Sequence, residues 1–277
     1  MVKRGLAGTR LGSTAMALRD RWKLTRGAMR DSAELGDDRN NALAGWLLTR
    51  LRRPGSTFVD VGAHIGSVIS EALRNVPGPV VAFEAIPEKA AYLAGRYPAA
   101  TIHNCALTDA DGELRFFIDN RQSGYSSLAE GGSDTTEIVV KAQRMDSILQ
   151  TGDIDMIKID VEGAELGVLR GAEGVIARCR PVVMFESGPT NVMGYTKQAL
   201  WQWFADRDYH IYLPDRITRA ARAATLDVFL DAHEYPRRTT NYFAIPAERL
   251  AEVSMRARAL LRDPPEWREP ATPSTIS

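Results

Sequence analysis

The stretch 57-TFVDVGAHIGSVI-69 decides the fold. It opens as a β-branched and apolar run interrupted only by Asp60, stops at Gly62, and resumes after Gly66 with the apolar spacing of a helix. A strand that turns through glycines into a helix is the first half of a βαβ unit, and the chain repeats that unit. Further strand-like runs lie at 79-PVVAFEA-85, 100-ATIHNCAL-107, 156-MIKIDV-161 and 181-PVVMFES-187. Helical spacing falls at about 66–75, 87–96, 145–150, 163–177 and 196–207, the second announced by Pro87 at its first position and Glu88 in its first turn. The alternation predicts an α/β fold, a mostly parallel sheet with helices on both faces. Two strands, 113-ELRFFID-119 and 136-TEIVVKAQ-143, interrupt it. They are joined by a connection containing 123-SGYSSL-128 and read as a β insertion beside the sheet, with its loop near the ligand end. Runs at 209–215 and 241–246 are expected to close the sheet as an antiparallel pair.

Composition narrows the class of partner. The chain has 277 residues, 44% apolar and 25% charged, enough for one large core. Thirty-five basic residues balance thirty-five acidic ones, so no overall field would hold the chain on nucleic acid or on an anionic membrane, and a small molecule or another protein is the expected partner. Three parts are predicted: a basic, helical extension over 1–50, a main domain over 51–250, and a C-terminal helix and tail over 251–277. In the first thirty residues Lys3, Arg4, Arg10, Arg19, Arg21, Lys23, Arg26 and Arg30 face only Asp20. That segment lacks the apolar centre of a secretory signal; a transit segment, a surface-binding helix and a solvated arm remain open. Cys105 and Cys179 have no metal-ligand spacing and read as reduced thiols of a cytoplasmic protein. No run reaches the roughly 18 apolar residues of a spanning helix, so no transmembrane segment is expected. A homodimer is left open.

In an open α/β sheet the ligand lies off the carboxyl ends of the strands, so the first βα turn is the place to look. The spelling D-V-G-A-H-I-G lacks the middle glycine of a dinucleotide turn and the Lys-Ser/Thr pair of a phosphate loop. What remains suits a ligand that needs close backbone approach at Gly62, Ala63 and Gly66, amide donors for a carboxylate, and Asp60 for a positive group. Glu84, at the tip of the second strand, stands where an acidic residue accepts both hydroxyls of an adenosine ribose. S-adenosylmethionine has that set of groups and no phosphate. His64 is read as an orienting group in this turn, with general base as its second reading.

The blocks FVDVGAHIGSVI, VVAFEAIPEKAAYL, NCALTDADGELRFF, SGYSSL and DMIKIDVEGAELGVLRGA together resemble the FkbM family of S-adenosylmethionine-dependent methyltransferases, over about Thr57 to Ser187. The resemblance implies a Rossmann-like class I methyltransferase fold and methylation of oxygen on a sugar, glycolipid or natural-product scaffold. It further implies that Asp60, Gly62 and Gly66 line the methionyl part and that Glu84 holds the ribose. Ala85 and Ile86 would flank the adenine, with Asn104, Cys105 and Ala106 along its other edge.

Catalysis is sought in 156-MIKIDVEGAEL-166, where Lys158, Asp160 and Glu162 alternate along a strand and so share one side. Charges in an apolar strand require partners or a site. Asp160, with its pKa raised by burial, is the first choice of base for a hydroxyl proton, Glu162 the second, and Glu186 converges on the same edge. Three acids could instead hold Mg²⁺, the less favoured alternative. Tyr125, Ser126 and Ser127 are candidate acceptor contacts. A nicotinamide-dependent oxidoreductase and a non-catalytic module that keeps the cofactor pocket are the competing functions.

Overall fold

The computed structural model describes residues 32–119, 126–127, 135–188, 194–219, 221–234 and 237–262. Its strands are β1 (Thr57–Val61), β2 (Val80–Phe83), β3 (Thr101–His103), β4 (Ala106–Leu107), β5 (Gly112–Asp119), β6 (Ser126–Ser127), β7 (Thr135–Gln143), β8 (Ile154–Ile159), β9 (Val182–Glu186), β10 (Tyr209–Tyr212) and β11 (Asn241–Pro246). Its helices are α1 (Ser32–Leu48), α2 (Ser67–Asn75), α3 (Pro87–Arg96), α4 (Met145–Ile148), α5 (Glu165–Arg170), α6 (Glu173–Cys179), α7 (Lys197–Ala205), α8 (Pro214–Arg219), α9 (Leu226–Asp231) and α10 (Leu250–Arg262).

Seven strands form one sheet in the order β10-β11-β9-β8-β1-β2-β3. All its pairs are parallel except those of β11, which runs antiparallel to β9 and β10, as the sequence predicts for the closing pair. The predicted insertion is the second sheet, β4-β7-β5-β6, built on the antiparallel β5 and β7. Successive residues of a strand face opposite layers. Phe58, Met156 and Met184 pack under α1, α2, α8 and α10, whereas Val59, Ile157 and Phe185 pack under α5, α6, α7 and α9. All six residues of β8 are buried, which explains its continuous apolar run. The aromatic residues after position 200 belong to this core: Phe204 stacks on Phe185 at 5.1 Å and Trp203 meets it edge-on at 5.2 Å.

Three boundaries differ from the sequence reading. The run 100–107 is two strands: β3 ends at His103 and the chain crosses to the second sheet as β4. The helix expected over 163–177 is α5 and α6, parted at Gly171, where a Cβ would lie 1.9 Å from the Thr108 carbonyl oxygen. β8 ends at Ile159, so Asp160 and Glu162 stand beyond the strand, Glu162 in a left-handed conformation (φ 51°) followed by Gly163 at φ 101°. Ser126 and Ser127 form the short β6, and Tyr125 lies outside the described residues.

At the amino edge of the sheet, Asp155 is fully buried at the start of β8. It accepts hydrogen bonds from Arg53 N and Nε, each at 2.7 Å, and from Arg249 Nη2 at 2.6 Å. Burial alone would raise its carboxyl; the Arg53 amide and the two guanidinium groups outweigh it and hold the carboxyl below the ordinary range.

Candidate active site

A cavity of about 300 Å³ opens at the carboxyl edge of β1, β2 and β8. One wall is the turn from Val61 to Val68; the second is Phe83 to Ile86 with Lys89; the third is Cys105 to Leu107; the floor carries Lys158, Asp160, Val161 and Glu162. Of the residues singled out from sequence, Gly62, Ala63, His64, Glu84, Ala85, Ile86, Cys105, Ala106, Asp160 and Glu162 line it. Asp60, Gly66 and Asn104 stand behind the wall.

The turn is held by the chain itself. Gly62 N and Ala63 N both donate to Phe83 O, Gly66 N donates to Ala63 O, and His64 N donates to the Glu84 carboxylate at 2.8 Å. The amides expected to face a ligand carboxylate are therefore engaged internally at four of these positions. The first helix amides of α2, at Ser67 and Val68 on the cavity wall, have no intrahelical acceptor and are the donors left for an anionic group. The glycines also have an intramolecular reason. At Gly62 (φ +80°) a Cβ would lie 1.9 Å from Asp160 O, and at Gly66 (φ +79°) it would lie within 2.6 Å of the Tyr97 and Leu93 side chains. Close approach is real, and the neighbours that impose it are β8's exit and α3.

Glu84 is buried, with one oxygen accepting from His64 N and the other from Ile86 N at 3.0 Å. Each oxygen keeps a second lone pair, so the group that fixes the turn can still receive a ligand hydroxyl. Asn104 braces this position by donating to the Glu84 and Ala85 carbonyls at 2.9 and 3.0 Å. Cys105 is buried and its thiol is pushed up to about 11 by desolvation, so it presents an uncharged surface.

The floor is a cluster of charges. Lys158 Nζ lies 3.3 Å from Asp60 and 3.3 Å from Asp160, and donates to Gly62 O at 2.9 Å. Burial alone would lower the ammonium; the two carboxylates reverse that and keep it charged. Asp60, fully buried, has neither oxygen in hydrogen-bonding geometry, and desolvation raises its carboxyl against the pull of Lys158. One carboxylate oxygen from each of Asp160, Glu162 and Glu186 lies within 4.8 Å of the others. Burial, then the hydrogen bond with Asp160 and the Asp160 and Glu162 charges, push the Glu186 carboxyl up to about 9. At neutral pH it holds a proton and donates it to Asp160. For Asp160 itself burial acts upward, but Lys158 and Glu186 outweigh it, and the carboxyl lies below the ordinary range. The upward shift that burial alone predicts for Asp160 is thus reversed by its two neighbours.

Glu162 is the exposed member, raised by desolvation and then by Asp160 and Glu165; no hydrogen bond or ion pair to it occurs among the described residues. Sequence reasoning missed the group that shapes its turn. The buried Glu165 accepts from Gly163 N at 3.1 Å and Val161 N at 3.4 Å, and receives the Tyr195 hydroxyl on its other oxygen.

A family model, the methyltransferase FkbM domain, matches residues 60–211, more than half of the chain and every wall of this cavity. The chain belongs to the FkbM methyltransferase family. Similar solved structures include a methyltransferase FkbM from Methylobacillus flagellatus KT (16% identity, TM-score 0.45, covering 83% of this chain and 60% of that one). A TehB-like SAM-dependent methyltransferase from Corynebacterium glutamicum is also similar (12% identity, TM-score 0.39, 84% and 96% covered). A third is a precorrin-6y C5,15-methyltransferase from Geobacter metallireducens (14%, 0.38, 65% and 73%). This chain thus spans about three fifths of the length of the Methylobacillus protein. A search of curated proteins finds no match to the sequence.

Proposed function

We propose that the protein is an S-adenosylmethionine-dependent O-methyltransferase acting on a hydroxyl of a sugar, glycolipid or natural-product scaffold, with Glu162 as the base. The observation that carries this reading is the division of the cavity: a fixed wall with a hydroxyl-accepting carboxylate, an apolar wall, and a floor with one uncommitted carboxylate. The residues fit the cofactor. Glu84 would accept from the ribose, Phe83, Ile86, Cys105 and Ala106 would enclose the adenine, the amides of Ser67 and Val68 would meet the carboxylate, and Asp160 would face the ammonium. When bound, S-adenosylmethionine supplies an electrophilic methyl group.

The chain's own part is to bind, orient and take a proton. Asp160 is committed to Lys158 and Glu186, so its lone pairs and lowered pKa make it a weak base. Glu162 has a raised carboxyl, no competing partner among the described residues, and an exposed place in the cavity floor where an acceptor hydroxyl can reach it. Glu186 keeps a proton on the neighbouring carboxyl and so limits the negative charge that Glu162 must work against. Tyr125, Ser126 and Ser127 stay as proposed acceptor contacts. Mg²⁺ is not part of the reading, because the Lys158 ammonium and the Glu186 proton already neutralise the acids a cation would need.

Calorimetry with S-adenosylhomocysteine and with NAD tests the ligand: binding of the first alone is expected. On an acceptor from a hydroxyl panel, Glu162→Gln should lower turnover by about 10²–10⁴-fold while S-adenosylhomocysteine affinity stays near the parent's. Asp160→Asn falling further than Glu162→Gln with unchanged affinity would return the role to Asp160. EDTA should leave the parent's turnover unchanged.

A further inference from the structure

Glu162 stands in a backbone conformation that a side chain rarely adopts. Its φ of 51° is followed by 101° at Gly163, two left-handed residues in succession between the end of β8 and the start of α5. A non-glycine residue keeps that conformation only where its surroundings impose it. Ala164, the residue before α5, offers the helix no side-chain cap. Instead Glu165, the first residue of α5 and 1% exposed, reaches back over the turn. Its Oε1 accepts from Gly163 N at 3.1 Å and Val161 N at 3.4 Å, the amides that bracket Glu162, and its Oε2 receives the Tyr195 hydroxyl. Tyr195 packs against the core two residues before α7, so the contact ties the start of α7 to the exit of β8.

An acid that merely favoured the helix dipole would point into solvent; Glu165 is buried and commits both oxygens to neighbours. Amides only donate, so an ionised carboxylate serves them and Tyr195 together. Burial raises the Glu165 carboxyl, and these donors oppose the rise. Glu165 also reaches Glu162 through space. The Glu162 carboxyl is raised first by desolvation, then by the Asp160 and Glu165 charges, while Lys158 on β8 pulls it down. Glu186 on β9 holds a proton, and His64 on the β1–α2 turn acts on Asp160.

We propose that Glu165, held by the Tyr195 hydroxyl, is the positioning residue of Glu162: its carboxylate clamps the amides on either side and fixes the turn that delivers the Glu162 carboxylate to the cavity floor. Released from the clamp, Glu162 would leave the left-handed region and its carboxylate would swing away from the acceptor. The inference rests on Glu162 as the base, so two of its tests read the clamp without turnover.

Amide hydrogen exchange and carboxyl NMR of the full chain, with the Glu162 resonance identified by its loss in Glu162→Gln, supply those two readings. Glu165→Ala should speed exchange at Gly163 by about tenfold or more, and Tyr195→Phe, which leaves the ring in the core, by a few-fold. Glu165→Gln keeps an acceptor for the amides and removes the charge, so Gly163 should stay protected while the Glu162 titration midpoint moves down. On an acceptor from the hydroxyl panel, Glu165→Ala should lower kcat by about 10²-fold with S-adenosylhomocysteine affinity near the parent's, and the acid limb of Glu165→Gln should shift to lower pH. Added to Glu162→Gln, Glu165→Ala should cost no further turnover, because it acts through that residue. Glu165→Gln and Tyr195→Phe carry the test if Glu165→Ala does not fold. Additive losses in the double variant would overturn the assignment, as would Gly163 exchange or a Glu162 titration that ignores Glu165. Exchange and titration as expected, with parent-like turnover in Glu162→Gln, would support the clamp and overturn the base reading.

Discussion

Asp155 and Asp160 stand at opposite ends of the same strand and meet opposite fates. Asp155 is fully buried, and its two oxygens are matched by one backbone amide and two guanidinium groups. Asp160 shares one ammonium with Asp60 and one proton with Glu186, beside a carboxylate with no partner among the described residues and two non-glycine residues, His64 and Glu162, at φ 51°. The amino edge is settled electrostatically and the carboxyl edge is left short of compensation. That shortage is a store of binding and proton-transfer capacity, the arrangement expected where a ligand completes the site.

The contrast can be broken most directly at the seam between β1 and β8. Gly62→Ala sets a Cβ 1.9 Å from Asp160 O in a left-handed backbone, so it should cost roughly 3–5 kcal/mol by chemical denaturation. Parent-like stability would show that the carboxyl edge can shift as freely as a loop. Asp155→Asn should come next, at about 3 kcal/mol, because Arg53 and Arg249 lose their shared charge partner. Asp160→Asn should cost less than about 1 kcal/mol, since Lys158 keeps Asp60. Equal losses in these two variants would erase the distinction between the edges.

Two further effects sharpen it. Glu84→Ala should weaken S-adenosylhomocysteine binding by about 1.5–3 kcal/mol in calorimetry, and lower the thermal transition as well, because the His64 and Ile86 amides lose their acceptor. Weaker binding without any thermal change would assign Glu84 to the ligand alone. Glu186 gives the pH dependence. Its folded carboxyl titrates at about 9 against an ordinary 4.5, so the native state retains a proton that the unfolded chain releases, and stability falls as pH rises between those values. Relative to Glu186→Gln, which carries no such proton, the parent should lose on the order of 5 kcal/mol from pH 5 to pH 9 in urea melts, at about 1.4 kcal/mol per pH unit. A flat difference would mean that Asp160 and Glu186 do not share a proton.

The sheet was legible because its strands are apolar runs between turn residues, a pattern local to each element. The divisions at Gly171 and after His103 were not, since each depends on the second sheet: the Thr108 carbonyl pressing on Gly171, and β4 pairing with β7. In the site, Lys158 announced itself as a charge inside an apolar strand. The proton shared by Asp160 and Glu186 needed the β8–β9 pairing, which no spacing reveals. The turn glycines were read as ligand-facing because the residues that crowd them, Asp160 at Gly62 and Leu93 and Tyr97 at Gly66, are remote in sequence. Glu165 carried no signal beyond being one more acid at a helix start.

The strand order has a consequence in time. β1 lies inside the sheet, and its partner β8 follows only after β2, β3 and the whole insertion. During synthesis the first half-sheet must wait with one edge of β1 bare, and the cavity gains its floor only when β8 closes that edge. Site assembly and long-range closure are therefore one kinetic event, slow by the sequence distance it spans. A ligand that bridges the turn at Gly62 and the floor at Asp160 would act as a clasp on that event, slowing unfolding far more than it speeds folding.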